Sequence, residues 1–191
     1  MIPILIEGPA LEPVPLAEAR LWLRVEDPAE DELIAGLAVA ARLMVEAEIG
    51  QVLVGQTWRL IGHAWPADGR IPVRAGPVLA VQGGRVFHRE GRLTELPPAA
   101  FRLLPFTDPP VVEALLMPLP GRPSAGIEID LRLGFGESPA EVPGQIRLAI
   151  RRLVALWYEN RGEGGEGQPG IPPQIRALLR PFRRARLGGR P

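Results

Sequence analysis

Residues 143–161 carry the longest unbroken helical pattern in the second half of this chain, and the rest of the sequence is arranged around them. Ile146, Ala149, Ile150, Leu153, Val154 and Trp157 recur at three- and four-residue spacing, which places them on one helical face. Arg147, Arg151 and Arg152 lie off that stripe, while Leu148, Leu156 and Tyr158 add apolar surface beyond it. Pro143 suits a first helical turn, where its missing N–H is no loss, and Asn160 and Gly162 suit an end. At ~1.5 Å per residue the segment is roughly 28 Å long, about the width of a small domain. The pattern predicts a core helix onto which the N-terminal part packs and from which the C-terminal part departs.

A second helical pattern comes earlier. Asp27-Pro28-Ala29-Glu30 combines a capping residue, a first-turn proline and a capping-box glutamate, and the pattern runs on to Ile49 before Gly50 ends it. Leu33, Leu37, Ala40, Ala41, Met44 and Ala47 are its expected apolar face, with Gly36 costing ~1 kcal/mol of helix propensity and so implying a packing reason. Leu16 to Val25 reads as a shorter helix with Leu16, Ala19, Trp22 and Leu23 inward, after a Pro-rich, extended segment from Met1 to Pro15.

Past Gly50 the period changes. Thr57–Ile61, Ile71–Arg74, Val78–Val81, Arg85–His88, Phe101–Leu104 and Val111–Leu116 are short strand-like runs, punctuated by Gly83-Gly84, Pro97-Pro98 and Pro109-Pro110. In Gly126–Phe135 the residues Ile127, Ile129, Leu131 and Leu133 alternate with Glu128, Asp130 and Arg132, so one face is buried and the other wet. The expected fold class is α+β. A helical body of N-terminal helices and one long C-terminal helix receives a small inserted antiparallel β unit and ends in a flexible basic C-terminal arm. The expected divisions are 1–50 (N-terminal helical segment), 51–136 (β-rich insertion), 137–162 (core helix) and 163–191 (linker and arm).

Composition closes off several function classes. The chain has no Cys, which excludes disulfides, thiol nucleophiles and Cys-based zinc sites. Formal net charge is zero, so no global field draws the chain to nucleic acid or membrane. No apolar run approaches the ~20 residues of a membrane span, and the N-terminus lacks a signal pattern; no membrane partner is expected. The charge is nevertheless polarised. Residues 1–50 balance to −7, residues 145–191 to +7, and every basic residue is Arg. Such ends suit oppositely charged partners, including further copies joined head to tail.

Catalytic patterns are missing. His63 and His88 have no patterned acid or second His nearby. Ser124 and Ser138 stand beside prolines, outside any nucleophile elbow. The Gly-rich 163–170 run lacks the Lys and Ser/Thr of a phosphate loop and reads as a linker. Glu26, Asp27, Glu30, Asp31 and Glu32 are explained by a helix N-terminus without a metal. No enzyme activity, cofactor or metal is expected.

The C-terminal arm is the one functional-looking element. Ile175, Leu178, Leu179 and Phe182 fall at i, i+3, i+4 and i+7, surrounded by Arg176, Arg180, Arg183, Arg184, Arg186 and Arg190, with Leu187 among them; residues 171–191 hold no acid. Pro181 keeps the helix short, and two turns are marginal alone in water, so the stripe needs something to pack on. The apolar stripe argues for a protein groove with an arginine rim. The alternative is a nucleic-acid-binding module using the Arg-rich end, since Arg favours phosphate.

The order of these segments resembles the phage head–tail connector (adaptor) family, found in tailed phages and in gene transfer agents. The resemblance runs from about Val14 to Leu187. Its most specific parts are the helix pair, Gln56-Thr57-Trp58, Gly134-Phe135-Gly136 and Trp157-Tyr158-Glu159-Asn160-Arg161, with RPFRRARL near the end. Pro15 departs from it, standing where relatives often place a capping Ser or Thr. The resemblance implies a structural protein of a particle's neck, assembled in the bacterial cytoplasm. It implies a ring, commonly of twelve copies, below the portal protein. The ring extends the DNA channel without sequence-specific binding and presents a surface to a tail-side stopper or tail-terminator protein. It also implies that the arm (Ile175, Arg176, Leu178, Leu179, Arg180, Phe182, Arg183, Arg184, Arg186, Leu187) docks on the portal.

Overall fold

The computed structural model describes residues 1–160 and 170–184. Among them are four α-helices and eight strands, the latter in two antiparallel sheets. This corrects the expected fold class. The β structure is no small insertion in a helical body but two sheets that recruit the N-terminus, and the long C-terminal helix is one of four. The chain divides into two compact units, residues 1–10 with 55–137 and residues 11–54 with 138 onward.

In the first unit, a five-stranded sheet has the order β1-β2-β8-β4-β5, from β1 (Ile2–Glu7), β2 (Gln56–Gly62), β4 (Val78–Phe87), β5 (Leu93–Leu96) and β8 (Ile127–Leu133). Strand β8 is central because its alternation gives it one wholly apolar face. Ile127, Ile129, Leu131 and Leu133 are all fully buried. It pairs without interruption with β2, from Gln56 opposite Leu133 to Gly62 opposite Ile127. On its other flank, β4 carries two register shifts. There Gly83 and Gly84, expected as a turn, instead sit inside one continuous strand. Gly83 has φ +137°, and a Cβ on Gly84 would lie 2.8 Å from the Glu128 carbonyl oxygen, so the pair permits a bulge where a side chain has no room.

Strand β1 is an edge strand whose six residues are all exposed, and Pro3 is tolerated at such a place. A smaller sheet, ordered β3-β7-β6, is made of β3 (Arg70–Pro72), β6 (Phe101–Leu104) and β7 (Val111–Ala114), and buries Ile71, Phe101 and Val112.

The second unit holds α1 (Leu16–Leu23), α2 (Asp31–Ile49), α3 (Gly144–Glu159) and α4 (Pro173–Leu179). Asp27 accepts a hydrogen bond from the Ala29 N–H at 2.9 Å and caps a 3₁₀ turn, Pro28–Glu30, ahead of α2. Gly50, at φ +68°, closes α2 with its N–H on the Glu46 carbonyl at 2.8 Å, a left-handed cap that glycine adopts without strain. The α3 face is as expected. Ile146, Ala149, Ile150, Leu153 and Val154 are buried, with Trp157 half-buried. Pro15 makes no side-chain cap for α1, and of the face expected there only Ala19 is buried.

The α2 face is turned from expectation. Ile34, Ala38, Ala41, Val45 and Ile49 are buried, whereas Leu33, Ala40 and Ala47 are exposed and Leu37 and Met44 half-buried. The helix is apolar on nearly every side, so periodicity alone cannot choose which side faces the core. The one charge on the inner face, Arg42, is held between Glu12 at 2.8 Å and Glu46 at 2.9 Å. Buried ions of this kind persist only when paired.

Candidate assembly surfaces

The arm is where the sequence places a site. Pro172 and Pro173 start α4, and Pro181 limits it to two turns followed by a 3₁₀ turn, Arg180–Phe182. The stripe's need for a partner is met inside its own unit. Ile175 and Leu179, joined by Ile171, are buried as α4 packs on α3 and α2. Leu178 and Phe182 are half-buried. The expectation of a free, flexible arm is corrected for 170–184, because an apolar stripe that cannot stand alone folds onto the nearest apolar helices.

Polar contacts fix the docked arm. Arg176 Nε lies 3.3 Å, and Arg183 Nε 3.6 Å, from one Glu48 carboxylate oxygen. The Arg184 N–H donates to the Ile49 carbonyl at 3.1 Å, and the Gln51 amide donates to the Phe182 carbonyl. Arg176, Arg180 and Arg183 remain exposed, so the docked arm still shows a basic surface. Arg186 and Leu187 lie outside the described residues, as does most of the expected linker. Glu48 and Gln51, the arm's polar receivers, were missed by sequence reasoning. The available signal was an acid in the last turn of α2 and an amide just past Gly50.

On the first unit, the wet face of the large sheet is an ion-pair ladder. Arg59 grips Asp130 with two bonds, 2.6 and 3.0 Å, and lies 3.2 Å from Glu128. Arg85 reaches Asp130 at 2.7 Å and Glu128 at 3.4 Å. Its hydrogen bonds to Asp130 hold the Arg59 guanidinium above its ordinary value despite burial working the other way. Arg132 binds Glu137, which pulls the glutamate's pKa below the usual carboxylate range. With charges of both signs so matched, this face is built for mutual neutralisation rather than for gripping phosphate.

Among the described residues, the contacts of His63, His88 and Ser124 include no acid. His88 Nε2 is 2.8 Å from the Thr94 hydroxyl. His63 and Ser124 line one open concavity with Met1, Ile2 and Pro123, but no carboxylate lines it. Among the described residues no cluster of three His, Cys, Asp or Glu can hold a metal. Nor is any described helix long and apolar enough to cross a membrane.

No family model matches the chain, and no curated protein does. Solved structures do. The chain is similar to one in the neck of an empty GTA (gene transfer agent) particle computed with C6 symmetry, at TM-score 0.81 and 29% identity over 100% of both chains. A second match is in the virion of a native GTA particle, at TM-score 0.80 and 27% identity over 100% of this chain and 99% of that one. A third is in the neck of a native GTA particle computed with C12 symmetry, at TM-score 0.74 and 30% identity over 100% of both chains.

Proposed function

Because the chain belongs to the phage head–tail connector (adaptor) family, we propose that it forms a ring of twelve copies in the neck of a phage or phage-like particle. The ring binds the portal on one side, offers the other to a tail-side stopper or terminator, and continues the DNA channel without reading sequence. Its role is structural. The observation that carries this reading is the full-length similarity to neck chains in particles treated with cyclic symmetry.

The arm is the portal-docking element of this proposal. Arg176, Arg180 and Arg183 supply its outward charge, Leu178 and Phe182 its partly exposed apolar edge, and Arg184, Arg186 and Leu187 extend it. Ile175 and Leu179 hold it in place from beneath. Each docked arm of a ring raises the local concentration of the next, so weak single contacts add to a firm attachment.

Deleting 171–191 is a poor test, since it strips buried Ile171, Ile175 and Leu179 from the helical unit. The variant Arg180→Glu reverses one exposed charge instead and leaves the contacts of Glu48 with Arg176 and Arg183 in place. It should stay folded and lose portal co-sedimentation by roughly tenfold or more, the scale of a broken charged contact. Co-sedimentation equal to wild type would overturn the arm's assignment.

A further inference from the structure

Helix α2 has two apolar sides, and among the described residues only one is covered. Opposite the buried Ile34–Ala38–Ala41–Val45–Ile49 side runs a strip of Leu33, Gly36, Val39, Ala40, Leu43 and Ala47. Leu33 is 40% exposed, Val39 37% and Leu43 52%. No charge interrupts the strip, because Arg42 turns inward and Glu46 pairs with it. A helix apolar all round is normally covered all round.

Gly36 points the same way independently. A Cβ built on it would meet nothing within 4 Å. Mid-helix glycine is unfavourable by ~1 kcal/mol against alanine, and no neighbour among the described residues accounts for it. Beside Ala40, a missing side chain lets another helix come close to the α2 backbone.

Resting on the ring reading above, we propose that this strip is the seat of the next copy in the ring. Relatives matched over their whole length lie in necks of C6 and C12 symmetry, and cyclic rings join each copy through two different patches. The helical unit has a second such patch. Its remaining strongly exposed large apolar side chains, among the described residues, are Leu11, Leu21 and Trp22. Leu21 and Trp22 line a concavity of about 400 Å³ with Glu18, Arg24 and Arg151. The Arg151 guanidinium lies 4.8 Å above the Trp22 ring. Exposed Arg24 stands at the rim of the concavity, where Arg151 already pairs with Glu18, and exposed Glu32 stands at the start of the strip, so the two patches carry opposite charge at their edges. The Leu33–Leu43 strip of one copy therefore enters the Leu21–Trp22 concavity of its neighbour.

The test uses the full-length chain assembled on portal rings, with ring formation read by electron microscopy. Since the chain has no cysteine, the double variant Leu21→Cys/Leu43→Cys carries the only thiols. On oxidation it should give a covalent ladder of multimers. Gly36→Leu adds a helix-former into open space. Its monomer should melt no lower than wild type while the assembled fraction falls roughly tenfold or more; Leu43→Met should assemble normally. Gly36→Leu rings at the wild-type level, or no ladder from a ring-competent double variant, would overturn the assignment. So would Gly36→Leu rings that form but fail to hold the portal, which would give the strip to that partner instead. A wild-type chain that forms no ring at all would remove the ring reading itself, a separate and recognisable failure.

Discussion

Glu137 illustrates how much a single side chain can report. Arg132 donates to both its carboxylate oxygens, and the pKa falls below the usual range. The folded chain therefore keeps this carboxylate ionised at a pH where the unfolded chain, at about 4.3, has begun to take up a proton. The contribution is complete above the unfolded value and lost as pH falls through the folded one. Urea titrations across the acid range should show a flatter pH slope for Glu137→Gln than for wild type. The difference should stay under about 1 kcal/mol, since the Glu137 side chain is 60% exposed and solvent screens the pair. Residue patterns of this kind were readable where they alternate. The Ile127–Leu133 run exposed both its buried and its wet face in the sequence. The partners of its charges were not readable, because Arg59 and Arg85 come from strands far away in the chain and only pairing brings them to Asp130.

Elements were legible in proportion to how many physical signals agreed. Helix α3 has one dominant apolar face, a proline before it and a polar end, and its buried set matched except for half-buried Trp157. Strand β1 was hidden: Pro3 and an apolar run without alternation look like an extended leader, and only the edge of a sheet accommodates both. Two glycines split β4 in the sequence although the folded chain uses them as a bulge. For α4, the sequence identified the stripe but not its receiver. Leu179 is fully buried where α4 meets the other helices. Leu179→Ala should therefore lower stability by about 2–5 kcal/mol, the usual cost of an emptied leucine site. The measurement is chemical denaturation followed by the fluorescence of Trp22 and Trp157, both in the helical unit. A loss below about 1 kcal/mol would show that α4 contributes little to that core.

Across the molecule, net charge is zero but its halves are opposed, and part of that opposition is settled inside one chain. Glu18, from the acidic first fifty residues, pairs with Arg147 and with Arg151, and Glu48 pairs with Arg176 and Arg183. Raising salt from 0.1 to 1 M shortens the screening length from about 10 to about 3 Å. The helical unit should lose about 1–2 kcal/mol over that range, given the modest worth of half-exposed pairs. A salt-independent denaturation midpoint would mean these four contacts add nothing to folding. What the sequence does not mark is that residues 1–10 join 55–137, because an edge strand carries no sign of its distant partner.

That interleaving bears on how such a protein can change over generations. A recombination event that swaps the continuous cassette from residue 55 to 137 replaces seven strands but leaves β1 behind with the old lineage. The retained strand shows all its side chains to solvent and meets β2 chiefly through its main chain. It makes few demands on the identity of its neighbour, so an imported cassette needs only a free strand edge to be accepted.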